Sequence, residues 1–181
     1  MKIVIDTCVL YPTVMREMIL GVAQQGIFEP VWSTRILEEW ARAAIKLGPT
    51  GEAQARSEIA LLRAAWTKAE SSPVPHVETR LWLPDENDIH VLAVAVSASA
   101  DAIMTLNAKD FPKNILAEEG LDRIEPDGFL HRAWSDNPDA VSDVANRVLA
   151  EARRLSGAEW EMRALLKKAR LPRLAKALTR T

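Results

Sequence analysis

Acidic side chains at four separated places are the residues of this sequence best suited to chemistry. In chain order they are Asp6, Glu38 or Glu39, Asp88 and Asp110. Carboxylate oxygens are the ligands that hard divalent cations such as Mg²⁺ and Mn²⁺ prefer. A cation held in this way lowers the pKa of a bound water and offsets negative charge that develops on a phosphate. If the fold brings these acids together, the chemistry they suit is metal-dependent hydrolysis of a phosphodiester.

Each acid also has a purely structural interpretation. Asp6 could cap a turn from a strand into a helix, and Asp110 could be an ordinary turn residue. Asp85 and Asp88 have the spacing of a capping box, and the helix dipole favours acids at a helix N-terminus. Asp85 as the cap and Asp88 as a metal ligand are compatible. Glu38 and Glu39 flank the apolar stripe of one helix, so periodicity does not choose between them.

The cysteine and histidine residues give little support for a disulfide, a zinc site or a catalytic histidine. Cys8 is the only cysteine, which excludes an internal disulfide and any cysteine-based zinc site. The three histidines, at 76, 90 and 131, do not have metal-ligand spacing with one another. His90 lies two positions after Asp88 on the same predicted helix, so we expect the two side chains to point apart.

Alternating strands and helices are expected to position the acids. Short runs predict strands at 2–5, which is β-branched, and at 30–32, 101–106 and 123–125, and 77–83 could hold a further short strand. Helical periodicity with capping and stop signals predicts helices over 12–25, 33–47, 51–69, 86–98 and 112–119. This order predicts an α/β fold with a mostly parallel central sheet flanked by helices. Ligands of such sheets gather at the carboxyl ends of the strands.

The pattern changes after Pro126. A regular apolar stripe from Val141 to Leu155 predicts a helix, and basic helices continue to about Leu178. We therefore predict a body at 1–136 and a basic helical C-terminal extension at 137–181. Residues 147–181 contain ten Lys/Arg and three Glu, and 163–180 contain seven basic residues and no acid. Such a segment suits a polyanion or an acidic protein partner, although a solvated helix face explains it equally well.

Composition excludes several classes of protein. The net charge is −2 and 48% of the residues are hydrophobic, as in ordinary globular proteins. The longest apolar stretch, 89–98, is about half the length that a membrane span needs. The first residues do not have the pattern of a secretory signal. We expect a cytoplasmic protein with no membrane partner.

Four stretches resemble the PIN domain, the nuclease fold of VapC-like bacterial toxins. Three of them read IVIDTCVL at 3–10, DIHVLAVA at 88–95 and ADAIMTLNAKDFP at 100–112. The fourth is the spacing from Ser33 to Glu39, which is similar to the family's second-acid helix and favours Glu39 over Glu38. Together they span residues 1 to about 130, so the resemblance implies a three-layer PIN-like fold for this part of the chain.

The resemblance also implies a set of site residues. It assigns metal ligation, with Mg²⁺ or Mn²⁺, to Asp6, Glu39, Asp88 and Asp110. It suggests that Thr105 and Asn107 line the site and orient a water or a carboxylate by hydrogen bonds. Some members place their fourth acid where Asn107 stands, so either Asn107 or Asp110 completes the site. Cys8 departs from the small polar residue expected there, and a thiol is a poorer hydrogen-bond partner for Asp6.

The function implied is that of a metal-dependent endoribonuclease acting as the toxin of a toxin–antitoxin pair. Its partners would be RNA, a cognate antitoxin and a second copy in a homodimer, and the basic helices would grip the RNA backbone. One alternative is a catalytically silent PIN-like module that binds RNA or a protein. A second is a phosphotransferase of the haloacid dehalogenase type, but that chemistry needs an acid where Cys8 stands.

Overall fold

A four-stranded parallel sheet forms the centre of the fold. In a computed structural model that describes residues 1–179, its strands are β1 (Lys2–Ile5), β2 (Glu29–Val31), β3 (Ala102–Met104) and β4 (Asp122–Ile124). They lie in the order β2-β1-β3-β4. Val4 of β1 lies opposite Val31 on one side and Ile103 on the other. The predicted α/β fold with a mostly parallel central sheet is therefore confirmed.

Helices account for most of the remaining described chain. They are α1 (Thr7–Leu10), α2 (Thr13–Gln24), α3 (Thr34–Ala43), α4 (Gly51–Ala65), α5 (Pro75–Glu78), α6 (Ile89–Ser97), α7 (Lys113–Glu118), α8 (Pro126–Asp136), α9 (Pro138–Ser156), α10 (Met162–Lys168) and α11 (Pro172–Leu178). Short 3₁₀ helices cover Ala44–Leu47 and Glu86–Asp88. Among residues 1–179, no helix combines the length and the apolar character that crossing a bilayer requires.

Local signals explain the helix ends that matter for the site. The hydroxyl of Ser33 accepts a hydrogen bond of 3.2 Å from the backbone N–H of Ile36, which caps the start of α3. A carboxylate oxygen of Asp85 accepts from the backbone N–H of Asn87 in the same way at the 3₁₀ turn before α6. The predicted cap at Asp85 is thus present, although its side chain reaches the second residue of the turn rather than the third.

Two predictions near the middle of the chain, a strand and the end of a helix, are wrong. The strand expected at 77–83 is absent, because Pro75 favours the first turn of α5 and buried Leu83 anchors an irregular segment instead. The helix expected to reach residue 69 ends at Ala65. There the chain turns so that the ring of Trp66 packs edge-on against Trp32, with ring centroids 6.5 Å apart. Three helices, α1, α5 and α8, were not predicted.

The described chain forms two compact units. Unit 1 comprises Met1–Tyr11 and Glu29–Arg123, and it holds nearly the whole sheet with α1 and α3–α7. Unit 2 comprises 12–28 and the chain from 124 onwards, and it holds α2 and α8–α11. The units therefore divide the chain at three points, none of them the boundary at 136/137. A functional division at 136/137 stays a prediction.

Candidate active site

The pairing of β1 with β3 brings Asp6 and Thr105 together. Ile5 lies opposite Met104, and the backbone N–H of Asp6 donates to the carbonyl of Met104 at 3.1 Å. The next residue of each strand therefore leaves the same carboxyl edge of the sheet. There the hydroxyl of Thr105 donates to Oδ2 of Asp6 at 2.7 Å. Both side chains are buried, so this hydrogen bond fixes the Asp6 carboxylate at the sheet edge.

Cys8 gives Asp6 a second hydrogen bond. Its Sγ lies 3.0 Å from Oδ2 of Asp6 and accepts from the backbone N–H of Leu106 at 3.3 Å. Burial, and then the negative charge of Asp6, raise the pKa of Cys8 to about 12, so the thiol keeps its proton near neutral pH. A protonated thiol is a donor. Cys8 therefore supplies the hydrogen bond that the sequence suggested it would make poorly.

Three aspartates form a close group beside the start of α6. Asp85, Asp88 and Asp110 each offer a carboxylate oxygen, and these oxygens all lie within 4.8 Å of one another. Asp85 and Asp88 bound the 3₁₀ turn that leads into α6, while Asp110 comes from the loop after β3. Oδ2 of Asp88 is buried, and no hydrogen-bond partner reaches it within residues 1–179.

The electrostatics of this group favour a cation. Burial, followed by the negative charges of Asp6, Asp85 and Asp110, raises the pKa of Asp88 from 3.8 to about 6. An all-oxygen donor set, a buried oxygen without a partner and mutual repulsion among carboxylates are what a hard divalent cation would resolve. The three aspartates therefore fit such a cation.

The loop after β3 is braced by its own side chains. The backbone N–H of Asn107 donates to the hydroxyl of Thr105 at 3.0 Å. The side-chain amide of Asn107 donates to Oδ2 of Asp110. Asn107 is therefore placed to orient Asp110, and Asp110 is the one of the two that joins the aspartate group.

Glu39 is held by contacts of its own. Thr7 donates to its Oε2 at 3.1 Å, and Nε of Arg35 lies 3.5 Å from its Oε1. Nε2 of His90, which is 2% exposed, lies 2.8 Å from the same Oε1, although the two atoms are not aligned for a hydrogen bond. Burial raises the pKa of Glu39, but the contacts with His90, Thr7 and Arg35 outweigh it and hold the pKa below its usual value. Glu38 instead binds Arg56 and Arg42 at the surface.

The structure thus brings together part of the predicted set. Asp88 and Asp110 join in one group, Asp6 lies close enough for its charge to act on Asp88, and Glu39 is not a member of the close group. Asp85 is also a member, although the sequence predicts it only as a helix cap; its place at the same helix start as Asp88 was a usable signal. The contact of His90 with Glu39 had no signal in the sequence, because the two residues are far apart along the chain.

The profile of the PIN domain family matches residues 2–109, which is more than half of the chain. The chain belongs to the PIN domain family. PIN domains form a nuclease superfamily whose members are generally metal-dependent. No curated protein and no solved structure matches the chain significantly. The match covers the PIN domain's sheet edge and every candidate site residue except Asp110, which lies one residue beyond it.

Proposed function

We propose that this PIN domain is a metal-dependent endoribonuclease that hydrolyses phosphodiester bonds at its aspartate group. The observation that carries the proposal is the buried Oδ2 of Asp88, which lacks a hydrogen-bond partner within the described chain. An unpaired carboxylate oxygen in this position is costly unless a ligand compensates it. Because the chain belongs to a nuclease superfamily, we infer that this ligand is the divalent cation used for phosphodiester hydrolysis.

Asp88 and Asp110 would hold the cation, Mg²⁺ or Mn²⁺, together with Asp85. Asp6 and Glu39, which the family resemblance assigns to the same task, would add negative charge around it. When bound, the cation supplies a water of lowered pKa and offsets charge on the phosphate.

The other side chains orient these carboxylates. Thr105 and Cys8 donate to Oδ2 of Asp6 and thereby fix its carboxylate. Asn107 orients Asp110 through its amide group. Hydrogen bonds of this kind to metal-binding groups set the geometry of a site, and their loss typically lowers metal affinity or activity by about 10–100-fold.

The biological role that we propose is that of a toxin in a toxin–antitoxin pair, acting in the cytoplasm. Its partners would be an RNA substrate, a cognate antitoxin and a second copy of the chain. The support is the resemblance of residues 3–10, 88–95 and 100–112 to VapC-like toxins.

Cleavage of a mixed RNA pool tests the proposal. We expect cutting with Mg²⁺ or Mn²⁺, none with EDTA, and a loss of more than about 100-fold in Asp88→Asn, because changes to groups that only support metal ligands already cost about 10–100-fold. Asp122→Asn, which removes an exposed carboxylate of β4, is the matched control and should cut normally. Cleavage that persists in EDTA or in Asp88→Asn would overturn the proposal. RNA binding without cleavage would favour the silent module instead.

A further inference from the structure

A cleft in unit 2 lies between α8 and α11. It has a volume of about 530 Å³ and is lined by His131, Trp134, Arg173, Lys176 and Ala177. None of these residues belongs to the aspartate group. The lining combines two aromatic rings from one helix with two cations from the other, so the cleft offers both a flat surface and positive charge.

The aromatic side of the cleft comes from α8. His131 and Trp134 are three positions apart, so they share one face of the helix. Their ring centroids are 6.2 Å apart, and the planes are tilted by 38°. Neither ring is fully buried. The two rings therefore present an accessible stacking surface.

The positive side comes from α11. Arg173 and Lys176 are also three positions apart, and both are exposed. No ion pair with a carboxylate is formed by either side chain within residues 1–179. Asp127 of α8 is buried at 4% exposure, and its two oxygens accept from the backbone N–H groups of Arg173 and Leu174 at 2.9 and 3.1 Å. That carboxylate ties α11 to α8, and the cationic side chains remain available to a ligand.

We propose that this cleft binds single-stranded RNA, with a base stacked on Trp134 and His131 and neighbouring phosphates held by Arg173 and Lys176. Aromatic platforms beside cations are the usual means of binding unpaired nucleotides. The run 163–180, which contains both cations, has seven basic residues and no acid, so the surrounding charge also favours a polyanion. An acidic peptide would use the cations but would leave the rings without a role. The inference rests on the proposed function in taking RNA as the substrate.

Fluorescence anisotropy with a labelled twelve-residue oligouridine tests the cleft. The measurement uses the full chain carrying Asp88→Asn, in EDTA, so that cleavage plays no part. Adding Trp134→Ala should weaken binding by about 5- to 100-fold, since one stacked base contributes on that order. The salt dependence of binding should not change, because no phosphate contact is lost.

Removing the two cations should give a different signature. Arg173→Ala with Lys176→Ala should weaken binding and make the negative slope of log K against log salt shallower by about 1.4, since each phosphate contact to a single strand contributes about −0.7 to that slope. Arg163→Ala with Lys167→Ala removes the same charge from exposed positions of α10 and is the matched control. It should change affinity much less at the same salt concentration.

Two further variants are controls for the effect of Trp134→Ala on binding. Trp82→Ala removes a tryptophan that is 62% exposed in unit 1, and it should leave binding unchanged. Trp134→Phe keeps a stacking ring and should restore most of the affinity. Thermal melting of each variant shows whether unit 2 still folds.

Several results would overturn the inference. They are unchanged binding in folded Trp134→Ala, equal losses in the two double-cation variants, or an oligoglutamate peptide that binds at the cleft while oligouridine does not. Failure of the proposed nuclease is distinguishable. If the wild type cuts no RNA while Asp88→Asn binds oligouridine through Trp134, the nuclease proposal fails and the cleft stands.

Discussion

Asp88 is placed where its charge is unfavourable without a ligand. Its pKa is raised to about 6, chiefly by burial and by the charges of Asp6, Asp85 and Asp110. Between pH 3.8 and 6 the native protein therefore holds a proton that the unfolded chain releases. The free energy of unfolding of the metal-free protein consequently falls as the pH rises through this window.

Asp88→Asn should relieve this cost. In EDTA at pH 7.5 we expect the variant to be more stable by on the order of 1 kcal/mol, after allowance for solvent screening of a half-buried group. This corresponds to about 2–4 °C in Tm for a chain of this size. The gain should shrink to nothing near pH 4, where the native carboxyl is protonated. Thermal melting across pH 4–8 measures it.

Excess Mg²⁺ or Mn²⁺ should reverse the order, because a ligand that binds only the native state stabilises it. Asp122→Asn is the control and should show no difference from wild type that depends on pH in this way. A metal-free Asp88→Asn that melts below wild type at pH 7.5 would contradict the clustered charges described for the site.

Substitutions of Asp85 and Glu39 distinguish which of the two carboxylates binds the metal ion. Asp85→Asn keeps a side-chain oxygen that can cap the helix start, so its effect should report ligation rather than folding. We expect it to raise the Kd for Mn²⁺, measured by calorimetry, by about tenfold or more. Glu39→Gln should have a smaller effect, because Thr7, Arg35 and His90 already engage that carboxylate. The reverse ranking would favour the ligand set that the family resemblance assigns.

Helices α2 and α9 approach closely at one glycine. A Cβ added to Gly21 would lie 2.5 Å from Cγ1 of buried Val144, which is closer than packed atoms allow. Gly21→Ala should therefore destabilise the protein by about 1–3 kcal/mol, despite alanine's better helix propensity. Urea denaturation measures this change.

The clash can be isolated by a double-mutant cycle. Val144→Ala removes the obstructing methyl groups, so combining it with Gly21→Ala should cost at least about 1 kcal/mol less than the sum of the two single changes. Gly128→Ala is the matched control, since its Cβ would meet only an arginine side-chain nitrogen at 3.6 Å. It should be neutral or slightly stabilising. Additive single costs would show that α2 and α9 do not touch at Gly21.

At the level of strands and helices, periodicity predicted the elements with a regular apolar pattern. The runs at 2–5 and 101–106 contain β1 and β3, and the capped apolar stretches contain α3 and α6. The strand prediction at 77–83 failed because its outcome depends on contacts between residues that are far apart in the sequence. The apolar residues of 77–83 fit a strand as well as an irregular buried segment, and only the absence of a pairing partner decides between them. Helix α8 was not predicted, although Pro126 in its first turn is itself a helix-start signal.

The site was predictable in kind more than in detail. Strand ends and a helix start placed Asp6, Asp88 and Asp110 near one sheet edge, and the structure brings the last two into one group. Sequence spacing could not show that Asp85 joins them, because capping explained it fully. Nor could it show that His90 reaches Glu39, since the direction of a side chain across two helices depends on how those helices pack.

Charge is divided unequally along the molecule. Unit 1 contains 11 Lys/Arg and 16 Asp/Glu, a net charge of −5, while the residues assigned to unit 2 carry +3. The aspartate group lies in the acidic unit and the aromatic cleft in the basic one. The net charge of −2 is therefore the sum of an acidic unit and a basic unit, of which only the basic one favours polyanions.

Because unit 2 draws on two separate parts of the chain, truncation at residue 136 should not leave a well-folded protein. Residues 1–136 would keep α2 and α8 but lose the buried apolar positions of α9–α11, among them Val141, Val144, Leu166 and Leu174. We expect this fragment to bind a hydrophobic dye and to melt well below the full chain. A chain lacking only Arg180 and Thr181 is the control. Cooperative, dye-free folding of 1–136 would support the division at 136/137 instead.

The discontinuity of unit 2 also shapes how the protein emerges during translation. Residues 12–28 leave the ribosome before the helices that α2 packs against, which follow only after the 95 residues of 29–123. At about 5–20 residues per second this delay lasts roughly 5–20 s. Throughout it, the apolar side chains of Met15, Met18 and Ile19, which are buried in the folded protein, lack the later helices of unit 2 that pack against α2.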